Sequence, residues 1–178
     1  MTTSASVSGD LRYPIGRFDA TAVVSSRAEQ IETIRLLPLL LRAAVYDLSD
    51  TQLDTPYREG GWSVRQLVHH IADSHSNAYI RFKLALTEDN PVIKPYEEAA
   101  WAKLPDSSLV IDPSLAITDG VHARLAALLI SLSEAEFERP FRHPALGLMT
   151  VAGNLAMYDW HSRHHLAHIT TLRQRMNW

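Results

Sequence analysis

Seven of the nine histidines fall in two short clusters, His69, His70 and His75 in one, and His161, His164, His165 and His168 in the other. A neutral imidazole carries a lone pair and is the commonest side chain for holding a transition metal. Residues 154–176 contain neither Pro nor Gly, and apolar residues return through them at helical spacing. Residues four apart on a helix stand on one face about a turn apart. His161 and His165 therefore point the same way, at the spacing by which two imidazoles of one helix share a metal ion. The other cluster lies on a second predicted helix and offers a third ligand. Three neutral imidazoles leave a coordination position open, and an open position separates catalytic from structural zinc. The chemistry expected is that of a metal enzyme.

Two polar stripes decide which histidines take part. Gln66, His70, Asp73, Asn77 and Arg81 recur at steps of four, three, four and four beside an apolar stripe; Asn154, Tyr158, His161, His165, His168 and Leu172 form the matching row near the C-terminus. If the rows face each other, His70, His161 and His165 converge as metal ligands. Asp73, one turn from His70, is placed to accept the other N–H of an imidazole. Arg81 is placed to hold an anionic substrate group, and Tyr158 to donate a hydrogen bond to developing charge. The remaining histidines have structural readings. His75 falls in the apolar stripe as a buried, hydrogen-bonded ring, His69 and His164 lie off the two faces in exposed or flanking positions, and His122 and His143 stand alone. Trp62 and Trp160 read as packing residues at the ends of the bundle.

Four main helices must carry these stripes. The first starts at Ser25 or Ser26 and runs toward Tyr46, split or kinked at Pro38, because proline lacks an amide donor and clashes with the preceding turn. Ser63 caps the second, over 64–88, whose apolar stripe is Val64, Leu67, Val68, Ile71, Ala78, Phe82 and Ala85. The third spans 113–132 and is expected to bury Leu115, Val121, Leu125, Leu128, Leu129 and Leu132. Thr150 caps the last, which runs to Met176. Residues 11–18 read as extended, 50–61 as loop, 133–136 as the start of a short helical turn, and 140–148 as turns. Residues 90–113 hold four prolines and are longer than most bundle connections, long enough to cover a site. With no alternating strand and no repeat, the fold expected is all-α: an antiparallel four-helix bundle with a long Pro-rich connection, its site built from facing helices.

Composition narrows the function classes. A chain of 178 residues fits one domain, 11–178, behind a polar N-terminus at 1–10 expected to be disordered. A formal charge of −3 without a Lys/Arg run argues against nucleic acid as a partner. The chain has no cysteine, hence no disulfide, thiolate ligand or cysteine nucleophile; any thiol chemistry must come from a bound small molecule. Neither a secretion signal nor a membrane span is visible, so a cytoplasmic protein is expected.

Residues 60–75 (GGWSVRQLVHHIADSH), 79–88 (YIRFKLALTE) and 160–169 (WHSRHHLAHI) resemble the YfiT family of metal-dependent hydrolases, within the DinB-like superfamily of four-helix metal proteins. The likeness extends through 13–16 (YPIG), 53–58 (LDTPYR) and 175–178 (RMNW), nearly the whole chain. In that superfamily the first ligand stands seven residues after the Ser of a Trp-Ser start, which is His70 here. The other two take the first and fifth positions of the C-terminal cluster, His161 and His165. The face argument selects the same three. Arg163 stands where relatives carry another His, outside the ligand set. The resemblance implies one divalent metal per subunit, zinc or nickel, a homodimer and a cytoplasmic location. It also implies a small-molecule substrate, since some relatives transfer low-molecular-weight thiols such as bacillithiol onto electrophiles. The leading expectation is a hydrolase that activates water on the three-histidine metal. A thiol S-transferase using the same metal is the runner-up, and a non-catalytic metal- or small-molecule-binding stress protein is the rival from another class.

Overall fold

Short polar residues start the helices. In the computed structural model, which describes residues 10–22 and 25–178, Ser26 begins α1 (Arg27–Val45), Ser49 begins α2 (Asp50–Leu53) and Ser63 begins α3 (Val64–Thr87). In each, the serine side chain accepts from the backbone of the third helical residue, whose Glu or Gln side chain reaches back to the cap; caps of this kind are worth about 1 kcal/mol. Then follow α4 (Glu98–Trp101), a 3-10 turn (Pro105–Ser108), α5 (Asp112–Ile130) and α6 (Glu134–Phe137). Strands β1 (Pro140–His143) and β2 (Gly147–Thr150) lead into α7 (Val151–Met176). Thr150 caps α7 through the Gly153 amide, and Asn177 ends it in the left-handed conformation. Of the N-terminal segment expected to be disordered, all but Asp10 lies outside the described residues.

The long helices α1, α3, α5 and α7 form a four-helix bundle as expected from the sequence, with α1 and α3 each packed on both α5 and α7, but the expected antiparallel arrangement is corrected. Their directions are mixed. Contacts from His69 to Ser114 and from His75 to His122 advance together along α3 and α5, which are therefore parallel. Contacts from Ser25 to Asp159 and from Ala44 to Arg173 make α1 parallel to α7. The α1–α5 and α3–α7 pairs run antiparallel. Because α3, roughly 36 Å long at 1.5 Å per residue, must be followed by a parallel neighbour, the chain has to travel back along the bundle. The proline-rich connection makes that return. It is pinned at one end where Ile93 N–H donates to Arg142 O at 3.0 Å, and near the other where Gln66 Nε2 donates to Ala102 O at 2.8 Å.

All seven residues of the expected α3 stripe are fully buried. Four local expectations are corrected. Pro38 does not split α1, which runs through it unbroken. The loop at 50–61 contains α2, held to α3 by Arg65, which donates to Asp54 Oδ1 at 2.6 Å and Asp50 Oδ1 at 2.8 Å. Residues 140–150 form a two-stranded hairpin with Gly147 at positive φ. Its strands are four residues each, too short for alternation to show. On α5 the buried face is Ser114, Leu115, Thr118, His122, Leu125, Ala126 and Leu129. Val121, Leu128 and Leu132 are only partly buried, because the face this helix turns into the bundle mixes Ser114, Thr118 and His122 with its leucines.

Candidate metal centre

Where α3 and α7 cross, their polar stripes meet. His70 Nε2 lies 3.3 Å from His161 Nε2, and His165 Nε2 lies 3.2 Å from the same atom. The ligand nitrogens of all three lie within 4.8 Å of one another. Metal–nitrogen bonds of roughly 2.0–2.1 Å in a tetrahedral shell place neighbouring nitrogens about 3.3 Å apart, the spacing His161 shows to each of the other two. Burial, the largest cause in each case, holds His70 down to about 4 and keeps His161 and His165 well below the usual imidazole value of 6.5, with neighbouring histidines adding to the effect on the latter two. At neutral pH all three are uncharged, each with a lone pair to offer. The donor set fits a divalent cation, and because it brings no negative charge, the ion's full charge would face the open side.

That side is a cleft of about 530 Å³. Its walls come from three separate segments. The N-terminal segment supplies Arg12 and Tyr13, and is tied down where Trp160 Nε1 donates to Gly16 O at 3.2 Å. The turn before α3 supplies Tyr57, Arg58 and Trp62. This turn needs its glycines: Gly60 sits at φ +63°, and a Cβ on Gly61 would come within 2.8 Å of Arg58 and 3.0 Å of Tyr57. From the long connection, α4 supplies Glu98. The connection thus does reach the site. Trp62 leans on His70 at 4.6 Å and Trp160 stacks on His164 at 4.3 Å, so both tryptophans are cleft walls and not end packing.

A sequence profile of the DinB superfamily matches residues 35–169. The chain belongs to the DinB superfamily. A Bacillus mycoides protein named as a candidate metal-dependent hydrolase is 53% identical over 171 residues, covering 95% of this chain and 99% of that one. A Bacillus cereus protein of the same description is 54% identical over 173 residues, with the same coverage. Among solved structures, YfiT from Bacillus subtilis, described as a probable metal-dependent hydrolase with an unusual four-helix bundle topology, superposes with a TM-score of 0.90 at 48% identity, covering 94% of this chain and 98% of that one. The four-helix bundle protein TT2238 superposes with a TM-score of 0.57 at 19% identity, over 79% of this chain and 95% of that one, a likeness of fold alone.

In this DinB-superfamily chain the other expected site residues have different tasks. Tyr158 is 3% exposed and donates to Ser74 O at 3.1 Å; burial raises its pKa, so the hydroxyl keeps its proton and braces α7 against α3 without reaching the cleft. Arg81 is 8% exposed and its Nη1 lies 3.4 Å from the Tyr158 hydroxyl, while its Nε has no partner among the described residues. It is a buried cation behind the imidazoles, not a cleft residue. Asp73 is half-buried and, among the described residues, makes no hydrogen bond to an imidazole; its pKa is raised by burial and then by Asp106, with His69 opposing. It faces the long connection. Asp73→Asn is accordingly expected to retain stoichiometric metal with unchanged affinity, as measured by competition with a chelator. A tenfold or greater loss would return it to the site.

Of the remaining histidines all but the half-buried His143 are buried too. His69, expected off the face, lies 2.7 Å by Nδ1 from Ser114 Oγ and 3.2 Å by Nε2 from Leu109 O, so it ties α3 to α5 and the connection. His168 stacks on Tyr57 at 4.0 Å. Sequence reasoning did not find Arg12, Arg58 or Glu98. They lie on turns and on a four-residue helix, where no periodicity marks a face.

Proposed function

We propose that this protein is a metal-dependent hydrolase of small electrophiles, with one zinc or nickel ion on His70, His161 and His165. The observation that carries the reading is the convergence of three neutral Nε2 atoms at the floor of an open cleft. The names of the relatives support it. When bound, a divalent ion there supplies Lewis acidity, lowering the pKa of water and polarising the electrophile. The chain's own groups do the rest. Trp62 and Trp160 wall the floor and restrict bulk water. Arg58, with no carboxylate partner among the described residues, orients an anionic end of the substrate at the rim, beside Arg12, whose guanidinium is paired with Asp10. Glu98, the one carboxylate among the described residues lining the cleft, is the group suited to take a proton from water and return it to a leaving group.

A thiol S-transferase on the same three histidines is the second reading. It is favoured by Arg58 at the rim, which suits a carboxylate of a low-molecular-weight thiol, and by the absence of any protein thiol. One experiment separates them: turnover by zinc- or nickel-loaded protein of activated esters, amides and epoxides, with and without added thiol. Turnover without thiol supports the hydrolase, turnover only with thiol supports the transferase, and none with either metal leaves a binding protein. The metal is not needed for folding, since two buried apolar clusters span the bundle and a chain of this size can bury a sufficient core. Chelation at neutral pH is expected to abolish activity while leaving helical circular dichroism unchanged. Loss of helix on chelation would make the metal structural.

A further inference from the structure

His75 and His122 take no part in the metal site or the cleft, and both are 0% exposed. Two histidines are unusual fillings for a bundle core. They stand in a row with His161. His122 Nδ1 lies 2.5 Å from Ile34 O, His122 Nε2 lies 2.9 Å from His75 Nδ1, and His75 Nε2 lies 3.0 Å from His161 Nδ1. The far nitrogen of His161 is the Nε2 that faces His70 and His165. The row visits all four long helices in the order α1, α5, α3, α7.

A neutral imidazole has one donor and one acceptor nitrogen, so a row of three such rings has only two hydrogen-bonded arrangements. In one, every proton sits on Nδ1; in the other, every proton sits on Nε2. The second would point the His122 Nδ1 lone pair at the Ile34 carbonyl, two acceptors at contact distance. The first donates His122 Nδ1–H to Ile34 O, His75 Nδ1–H to His122 and His161 Nδ1–H to His75. It leaves the lone pair of His161 Nε2 aimed at the site. Pro38 explains why Ile34 O is available. It stands four residues after Ile34 and has no N–H to give it, so the carbonyl lacks its helical donor and takes His122 in its place.

We infer that His75 and His122 are positioning residues, a buried imidazole row through which the carbonyl freed by Pro38 sets the tautomer and orientation of His161 as a metal ligand. The inference rests on the three-histidine site proposed above but is read without turnover. Metal-binding histidines usually donate their other N–H to a carboxylate, carbonyl or water. Here that acceptor is a second imidazole whose own tautomer is set one ring further back.

The first test is long-range nitrogen–proton NMR on the metal-free protein at neutral pH, with single His replacements for assignment. His161, His75 and His122 should all show the Nδ1–H tautomer. An Nε2–H tautomer at any of the three overturns the inference, whatever the site later proves to bind. The second is zinc affinity, by chelator competition, in two variants with unchanged helical circular dichroism. His122→Phe fills the space but removes the acceptor for His75, and should weaken zinc roughly 10- to 100-fold, the range for lost partners of metal ligands. His122→Gln carries an amide donor and an acceptor side by side and should restore most of that affinity. A purely structural role for His122 predicts no difference between Phe and Gln, and wild-type affinity in folded His122→Phe sinks the proposal. If His122→Phe does not fold, the tautomers of the wild type decide.

Discussion

His70→Ala, His161→Ala and His165→Ala are each expected to abolish stoichiometric metal binding while leaving the bundle folded. The expectation follows from the arithmetic of an open site. Four-ligand structural zinc sites bind with roughly 10–16 kcal/mol, so each ligand carries on the order of 3 kcal/mol, more than a hundredfold in Kd. A site with only three ligands has none to spare. His161 stands at 3.3 Å and 3.2 Å from the other two Nε2 atoms, so its loss removes the ligand both of the others face. The control is His164→Ala. His164 is next to His165 in sequence and also buried, but its ring stacks on Trp160 and meets His168 edge-on, roughly 100° around the helix. His164→Ala should keep a full equivalent of metal. Metal analysis of purified variants is the measurement, and equal losses in His164→Ala and His165→Ala would refute the choice of helix face.

Local periodicity made much of this legible before any coordinates. The apolar stripe from Val64 to Ala85 and the unbroken run from Asn154 set the phases of α3 and α7, and phase puts His70 on one polar row and His161 and His165 on the other, which meet where the two helices pack. What stayed hidden depends on contacts distant in sequence. Nothing about Pro38, seen alone, says that a helix will run through it, because the donor that compensates Ile34 O is His122, 88 positions away. His122 looked isolated for the same reason: its partners His75 and Ile34 lie on other helices. The parallel pairing of α3 with α5 was equally invisible, although the length of the proline-rich connection was its trace. Asp73 misled because the step of three from His70 puts it on the right helix but turned toward Asp106 and the connection.

Acid should unfold the metal-free protein over a window set by its buried histidines. In the unfolded chain these rings take up protons near pH 6.5. In the folded protein His70, His164 and His168 are held near 4, and His75, His161 and His165 lie well below the usual value, with burial the leading cause throughout. Between these limits the unfolded state binds more protons than the folded one, so stability rises with pH. It is full above about 6.5 and drains away as pH falls toward 4. At roughly 1.36 kcal/mol per pH unit, His70 alone accounts for about 3 kcal/mol lost at the acid end. Small domains have only about 5–15 kcal/mol in total, and several more rings pull the same way. No carboxylate lies among the leading causes at these six rings to offset the charge they would acquire. Circular dichroism at 222 nm on chelator-treated protein is therefore expected to show cooperative loss of helix between pH 6.5 and 4, with steeper proton uptake than one histidine can give. His75→Phe, which removes one of these rings from the core, should move the midpoint to lower pH relative to its own neutral-pH stability. Metal-free protein that keeps its full helical signal at pH 4 would show that the buried imidazoles find partners for their charge, and would remove burial as the force holding the three ligands neutral.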